Sequence, residues 1–209
     1  MSGEAPFFSP VLTSWDPLFS KHSVNVAAAP NLEYAQHVPD ERLRDVFVDM
    51  KYATLMLNTS VEEGTRYSGR IFQPILTSIQ SRLLHLCDEL QDSFSECIRL
   101  AMLAFLSTVV NFPALRSHAP YLQKNLIHNW ITTKEKRRSE DHFSLDLWII
   151  TIAALSASAP EQHLYEEFRR RILSMTWNEV EAHLSEVMWV PSIHGEQGKQ
   201  AFTRLFHSP

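Results

Sequence analysis

After Pro39-Asp40, the apolar residues Leu43, Val46, Phe47, Met50 and Leu57 recur at three- and four-residue steps. That period lays one apolar stripe along an α-helix. The spacing predicts a helix over roughly 41–58, with Asp40 as its N-cap. The polar segment 59–68, which contains Gly64, reads as a loop. Phe72, Ile75, Ile79, Leu83, Leu86 and Leu90 then mark a second amphipathic helix, in which Pro74 is acceptable only within the first turn. Ser93 or Ser95 is read as the cap of a third helix, which runs to about Asn111 and stops ahead of Pro113.

Two stretches have no polar face. Leu100 to Leu106 is apolar on every side, and Leu145 to Leu155 nearly so. The second is too long for an ordinary strand, so both are assigned as helices at the centre of a helical assembly. Between them the pattern gives a helix over about 119–131 and a polar connector from Thr132 to Asp141. Beyond Pro160 one helix buries Leu164, Phe168 and Ile172. A further helix starts from cap Thr176, buries Trp177, Val180, Leu184, Val187 and Met188, and ends before Pro191. A short final helix over about 196–206 presents Ala201, Phe202, Leu205 and Phe206. With no convincing period-2 strand and no Asn-Gly or Asp-Gly hairpin signal, the class is all-α. The architecture is an irregular multi-helix bundle or a short α-solenoid of about seven to eight helices. Residues 1–38, with Pro6, Pro10, Pro17 and Pro30 among aromatic residues, form an extended N-terminal arm. Residues 39–209 form a single all-helical domain.

Composition narrows the chemistry. Five glycines in 209 residues, against average usage of about 7%, leave little material for the glycine-rich loops that cradle phosphates and dinucleotides. Gly64-Thr-Arg-Tyr-Ser-Gly69 has the glycine spacing of a phosphate loop, but Arg70 and Ile71 stand where Lys and Ser or Thr are needed. A net charge of -5 gives no global reason to expect nucleic-acid binding. The two cysteines, Cys87 and Cys97, fall in helical stretches and read as reduced thiols packed as small hydrophobes. Neither a signal peptide nor a membrane span is expected, which points to the nucleus or cytoplasm rather than secretion.

None of the ten histidines has a second histidine four residues away, the spacing at which two share an ion on one helix face, so no metal site is expected. Carboxylates near His163 (Glu166, Glu167) and His183 (Glu179) are assigned as surface helix pairs. No Gly-x-Ser-x-Gly elbow is present. Neither a catalytic residue nor a cofactor is expected. Lys134 to Arg138 is read either as a solvated connector or as an anionic-partner or nuclear-import patch, and Arg169-Arg170-Arg171 as cations suited to a helix end. Trp148, Tyr165, Trp177, Trp189 and His194 admit two readings. They are either the lining of an apolar pocket with one polar group or core anchors between helices.

The order of features from Asp40 onward resembles the helical regulatory region of fungal-specific transcription factors. The resemblance rests on Leu43-Arg-Asp-Val-Phe-Val-Asp49, Leu83-Leu84 with Leu86, and the run Glu96 to Leu106. It continues through Leu147-Trp148, Thr176-Trp-Asn-Glu-Val180, Met188-Trp-Val190, and His194 with Gly198. It implies an all-α regulatory-type domain with no catalytic residues to carry over. Members of that family typically begin with a binuclear zinc cluster on six cysteines, whereas this sequence has two. The expectation is therefore a transcription-regulator-like protein without direct nucleic-acid or membrane binding. It would act by protein contact with the transcription machinery or another regulator, or by sensing an apolar small molecule. A domain of this type suits a fungal secondary-metabolite gene cluster. The alternative is a cofactor-free enzyme of specialised metabolism, an isomerase or cyclase, reusing the same scaffold. In that case His194, Tyr165 or Glu186 should converge on a cavity near Trp148 and Trp189.

Overall fold

A computed structural model describes residues 32–64, 69–109, 119–134, 142–156, 166 and 169–207. The regular structure among them is helical throughout. A 3-10 turn (Glu33–His37) precedes α1 (Glu41–Glu62), α2 (Gly69–His85), α3 (Ser93–Val109), α4 (Ala119–Lys134), α5 (Phe143–Leu155), α6 (Trp177–Val187) and α7 (Pro191–His207). The chain is all-α, as the periodicity predicts. None of the described helices is long and apolar enough to cross a membrane.

The apolar helices do sit in the middle. Every residue from Ile98 to Leu106 is buried, as is every residue from Ser144 to Ala153. Helix α3 packs against α1, α2, α4, α5 and α7, and α5 is covered in turn by α4, α6 and α7. Three polar side chains of α5 enter this interior with partners. Thr151 Oγ1 bonds back to the Leu147 carbonyl at 2.7 Å, the usual outlet for a hydroxyl on a buried helix face. Ser144 bonds to Glu186, and Asp146 pairs with Arg171 at 3.2 Å, both side chains being over nine-tenths buried.

Helix ends show which local signals decided the boundaries. The Asp40 side chain accepts from Leu43 N–H at 3.1 Å, as expected, and Thr176 with Glu179 forms a full capping box. At α3 the cap is Asp92, whose Oδ1 accepts from Ser95 N–H at 2.8 Å, and not Ser93 or Ser95. A carboxylate at this site satisfies an orphan N–H and also faces the positive helix end. Helix α1 continues to Glu62, and Gly64 follows at φ +62, the left-handed conformation that closes a helix. Helix α2 begins at Gly69 and ends at His85, earlier at both ends than its apolar stripe suggests. Pro74 therefore lies in the second turn rather than the first, where its ring tolerates the helix but leaves the carbonyl four residues back without its N–H.

The turn after α2 holds two departures from expectation. Cys87 is exposed there, whereas Cys97 is buried in α3 with Sγ 3.9 Å from the Leu126 carbonyl. Next to it Asp88 adopts φ 64 without being glycine. A left-handed conformation is strained for a residue with a Cβ. Asp88→Gly is therefore expected to raise stability by about 0.5–1 kcal/mol, read by urea unfolding. A loss of stability would show that the aspartate side chain supports the turn.

At the C-terminus, α7 begins at Pro191 rather than near 196. Proline at the first helical position gives up an N–H that has no helical partner anyway, so the residue expected only to end one helix starts the next. The tail of the predicted arm is likewise not extended, because Glu33–His37 makes a 3-10 turn with Ala35 and Val38 buried. The aromatic residues Phe7, Phe8, Trp15 and Phe19 lie outside the described residues, as do Leu164 and Phe168; Ile172 is buried as predicted.

Candidate functional site

Four of the five aromatic-cluster residues meet where α5, α6 and α7 converge; Tyr165 lies outside the described residues. Trp148, Trp189 and His194 are fully buried, and Trp177 is half-buried. Their rings form a continuous series with two phenylalanines. Trp148 packs on Phe105 (5.9 Å between centroids), Phe105 on His194 (5.2 Å), His194 on Trp189 (4.8 Å), Trp189 on Trp177 (6.3 Å) and Trp177 on Phe202 (5.9 Å). These separations are those of direct ring contact.

Gly198 lets this series close. A Cβ built there would lie 2.6 Å from the Trp177 ring and 3.0 Å from the Trp189 ring, inside contact distance. Gly195, one turn earlier, meets only Glu181 Oε1 at 3.4 Å. Gly198→Ala is expected to lower stability by about 1–3 kcal/mol through overpacking. Gly195→Ala should hold or gain, since alanine is the better helix former by about 1 kcal/mol. Urea unfolding of the two variants side by side checks this, and equal effects would mean that the tryptophans do not press on α7.

Every polar atom of the buried aromatic centre is engaged by the fold. Trp148 Nε1–H donates to the Met188 carbonyl at 2.6 Å, and Trp189 Nε1–H to Glu181 Oε1 at 3.2 Å. His194 Nδ1 accepts from Val190 N–H at 3.3 Å. The ring must then carry its proton on Nε2, which lies 2.8 Å from Thr108 Oγ1. That hydroxyl passes its own proton to the Phe105 carbonyl at 2.6 Å. Burial pushes the His194 pKa down to about 4, so the ring is neutral at physiological pH and has no lone pair left for a substrate.

The partners reveal what this cluster holds. Met188, Trp189 and Val190 link α6 to α7 without helical structure, yet all three are buried. Their main-chain groups cannot reach water, so side chains must satisfy them. Trp148 takes the Met188 carbonyl, Asn58 Nδ2–H the Trp189 carbonyl at 2.8 Å, and His194 the Val190 N–H. Lys51 closes the end of α6 by donating to the carbonyls of Ser185, Glu186 and Val187. This is the favoured place for a cation, at the negative end of a helix. Burial pulls Lys51 down to about 8, against the opposing pull of the Glu186 carboxylate. Lys51, Asn58 and Thr108 carried no signal in the sequence beyond being polar residues on otherwise apolar helix faces.

Glu186 does not join the aromatic cluster. It faces Tyr34, whose hydroxyl donates to Oε2 at 2.8 Å, and Ser144, whose hydroxyl donates to the same oxygen at 2.7 Å. Burial works to raise its pKa, but the bonds from Ser144, Tyr34 and His183 bring it below the usual carboxylate range. His183 Nδ1 is 2.9 Å from Ser144 Oγ. Because the serine proton goes to Glu186, the histidine N–H donates to the serine, the reverse of what an activated nucleophile requires. His183 thus bonds Ser144 and lies beside Glu186, while Glu179, expected to pair with it, is held by the Thr176 capping box and feels His183 as a Coulombic neighbour. The arginine triplet is also more than a helix-end device. Arg169 and Arg170 are exposed, but Arg171 turns inward to Asp146 and lies 5.5 Å over the Trp130 ring. Of the Lys134 to Arg138 cluster, only the position of Lys134 at the end of α4 falls within the described residues.

Among the described residues, no group of three or more histidine, cysteine or carboxylate side chains is arranged to hold a metal ion. No family model matches the chain, and neither does any curated protein or solved structure.

Proposed function

We propose that this chain is a helical regulatory-type domain that works by contacting other proteins, as its resemblance to the regulatory region of fungal-specific transcription factors implies. One observation carries the choice of protein contact over ligand sensing or catalysis. The polar atoms of Trp148, Trp189 and His194 are committed to the α6–α7 connector and the neighbouring helices, so the aromatic cluster serves as an anchor. The net charge of -5 favours a partner other than nucleic acid. A contact surface is offered by α4, where Tyr121 is 67% exposed and Ile131 41%, on the side turned away from the core. Large apolar side chains held in solvent are a common element of protein-binding faces.

Tethering tests the proposal. The full chain is fused to a heterologous DNA-binding module in a fungal reporter strain. Reporter output should change severalfold relative to the module alone. Tyr121→Glu combined with Ile131→Glu should abolish that change while circular dichroism and the unfolding midpoint stay as in the parent. Unaltered output from both an activation and a repression reporter would overturn the reading.

A further inference from the structure

The face that α4 turns to solvent carries a regular row. Tyr121, Lys124, His128 and Ile131 are all exposed, and their three- and four-residue steps align them along one side of the helix over about 15 Å. The row is apolar at each end and polar between. Helix α4 contains no carboxylate, so a second copy of the chain pairing through this helix would bring Lys124 no counter-charge. The chain itself carries a segment that does. Among residues 1–31, ahead of the described structure, Trp15-Asp16-Pro17-Leu18-Phe19 places a carboxylate between two aromatic side chains. Trp15 and Phe19 would stand about 12–13 Å apart in an extended chain, close to the length of the row. The sequence favours that conformation here, because proline fixes its own φ and keeps the residue before it out of the α region.

We propose that this N-terminal segment docks on α4, with Phe19 on Ile131, Trp15 on Tyr121 and the Asp16 carboxylate at the Lys124 ammonium. The direction follows from where the chain enters the helical body. Just after Leu32, the His37 ring lies 4.3 Å from that of His142, which lies 6.3 Å from Phe94 in the first turn of α3. That end of α3 faces the second half of α4, since Cys97 Sγ lies 3.9 Å from the Leu126 carbonyl. There Arg171 also joins Asp146, in the first turn of α5, to the Trp130 ring beside Ile131. The arm therefore enters at the Ile131 end of α4, and Phe19, nearer in sequence than Trp15, reaches Ile131 first. Thirteen residues lead from Phe19 to Leu32, enough for about 43 Å. On the same chain, the segment meets the row at an effective concentration on the order of millimolar, so a modest intrinsic affinity suffices. The docked arm covers the face assigned above to protein contact, and a partner must displace it. That consequence rests on the regulatory reading, whereas the docking does not.

Photo-cross-linking of the full chain tests the docking. His128→p-benzoylphenylalanine sets a photoreactive ketone in the middle of the row, at an exposed position. Irradiation in dilute solution, followed by intact mass and peptide mapping, should give a cross-link within single chains to the segment around Trp15 and Phe19. Trp15→Ser combined with Phe19→Ser should lower the cross-linked fraction about fivefold or more, the scale on which losing large apolar contacts moves an equilibrium. Tyr121→Glu combined with Ile131→Glu should do the same from the other side, with circular dichroism and the unfolding midpoint as in the parent. The cross-link needs no partner, so a silent tethered reporter would strike the regulatory reading alone. Absence of a cross-link to the arm, cross-links only at twice the chain mass, or an undiminished yield in either double variant would each overturn the docking.

Discussion

Trp148→Ala should remove about 4–8 kcal/mol of stability, comparable to the whole of the lower part of the usual 5–15 kcal/mol range for a domain. Two losses combine. The ring is fully buried against Phe105, and deleting a buried tryptophan side chain costs about 3–5 kcal/mol. Its N–H is also the partner of the Met188 carbonyl, which would be left buried and unpaired at about 1–3 kcal/mol. Trp148→Phe separates the two, since it keeps most of the ring contact and loses the donor, so a loss of about 1–3 kcal/mol is expected. Urea unfolding followed by circular dichroism reads both. A cost below about 1.5 kcal/mol for the alanine variant would mean that the indole does not anchor the α6–α7 connector.

The second large effect is acid sensitivity. His194 has its folded pKa depressed by burial to about 4, against 6.5 in the unfolded chain. Between those values the unfolded chain binds the proton and the folded one does not, so stability falls as pH falls. The contribution is fully present above about pH 6.5. About 2 kcal/mol of it should be gone by pH 5, and about 3 kcal/mol by pH 4. The physical cause is visible in the geometry, because a proton on Nδ1 would point at Val190 N–H, itself a donor. Glu186, Asp40 and Glu179 also have lowered pKa values, so acid weakens their bonds too, but mainly below pH 5. The measurement is therefore the slope of unfolding free energy between pH 6.5 and 5, compared with His194→Gln. That variant is expected to be less stable at pH 7 but flatter across this window. Equal slopes would assign the acid loss to other groups.

How far these features can be read in advance depends on whether the cause is local. Helix α1 and its Asp40 cap, the buried run of α3, and the Thr176 cap are legible because their signals lie within a few residues of their effects. The Asp92 cap is masked by the serines beside it, although a carboxylate caps as well and gains from the helix dipole. The full extent of α7 is not legible, because Pro191 reads as a terminator of the preceding helix. The aromatic cluster was legible as a set of residues, but its purpose was not. Around it, Asn58 on α1 satisfies the connector's Trp189 carbonyl from 131 residues away, Lys51 on α1 closes the end of α6, and Thr108 on α3 holds His194. No periodicity announces such pairings. Likewise Arg171 looked like one of three equivalent cations until the Asp146 carboxylate and the Trp130 ring separated it from its neighbours.

The clamp on the end of α6 and residues 188–190 also sets an order in time. Lys51 is separated by 136 residues from Val187, whose carbonyl it must reach. At about 5–20 residues per second, a ribosome needs roughly 7–27 s to make that stretch. The α1–α2 and α3–α4 pairs, each adjacent in sequence and in space, can form while Lys51 still waits for its carbonyl partners. A nascent chain that stalls before residue 185 therefore holds the Lys51 ammonium among packed helices without the carbonyls that satisfy it.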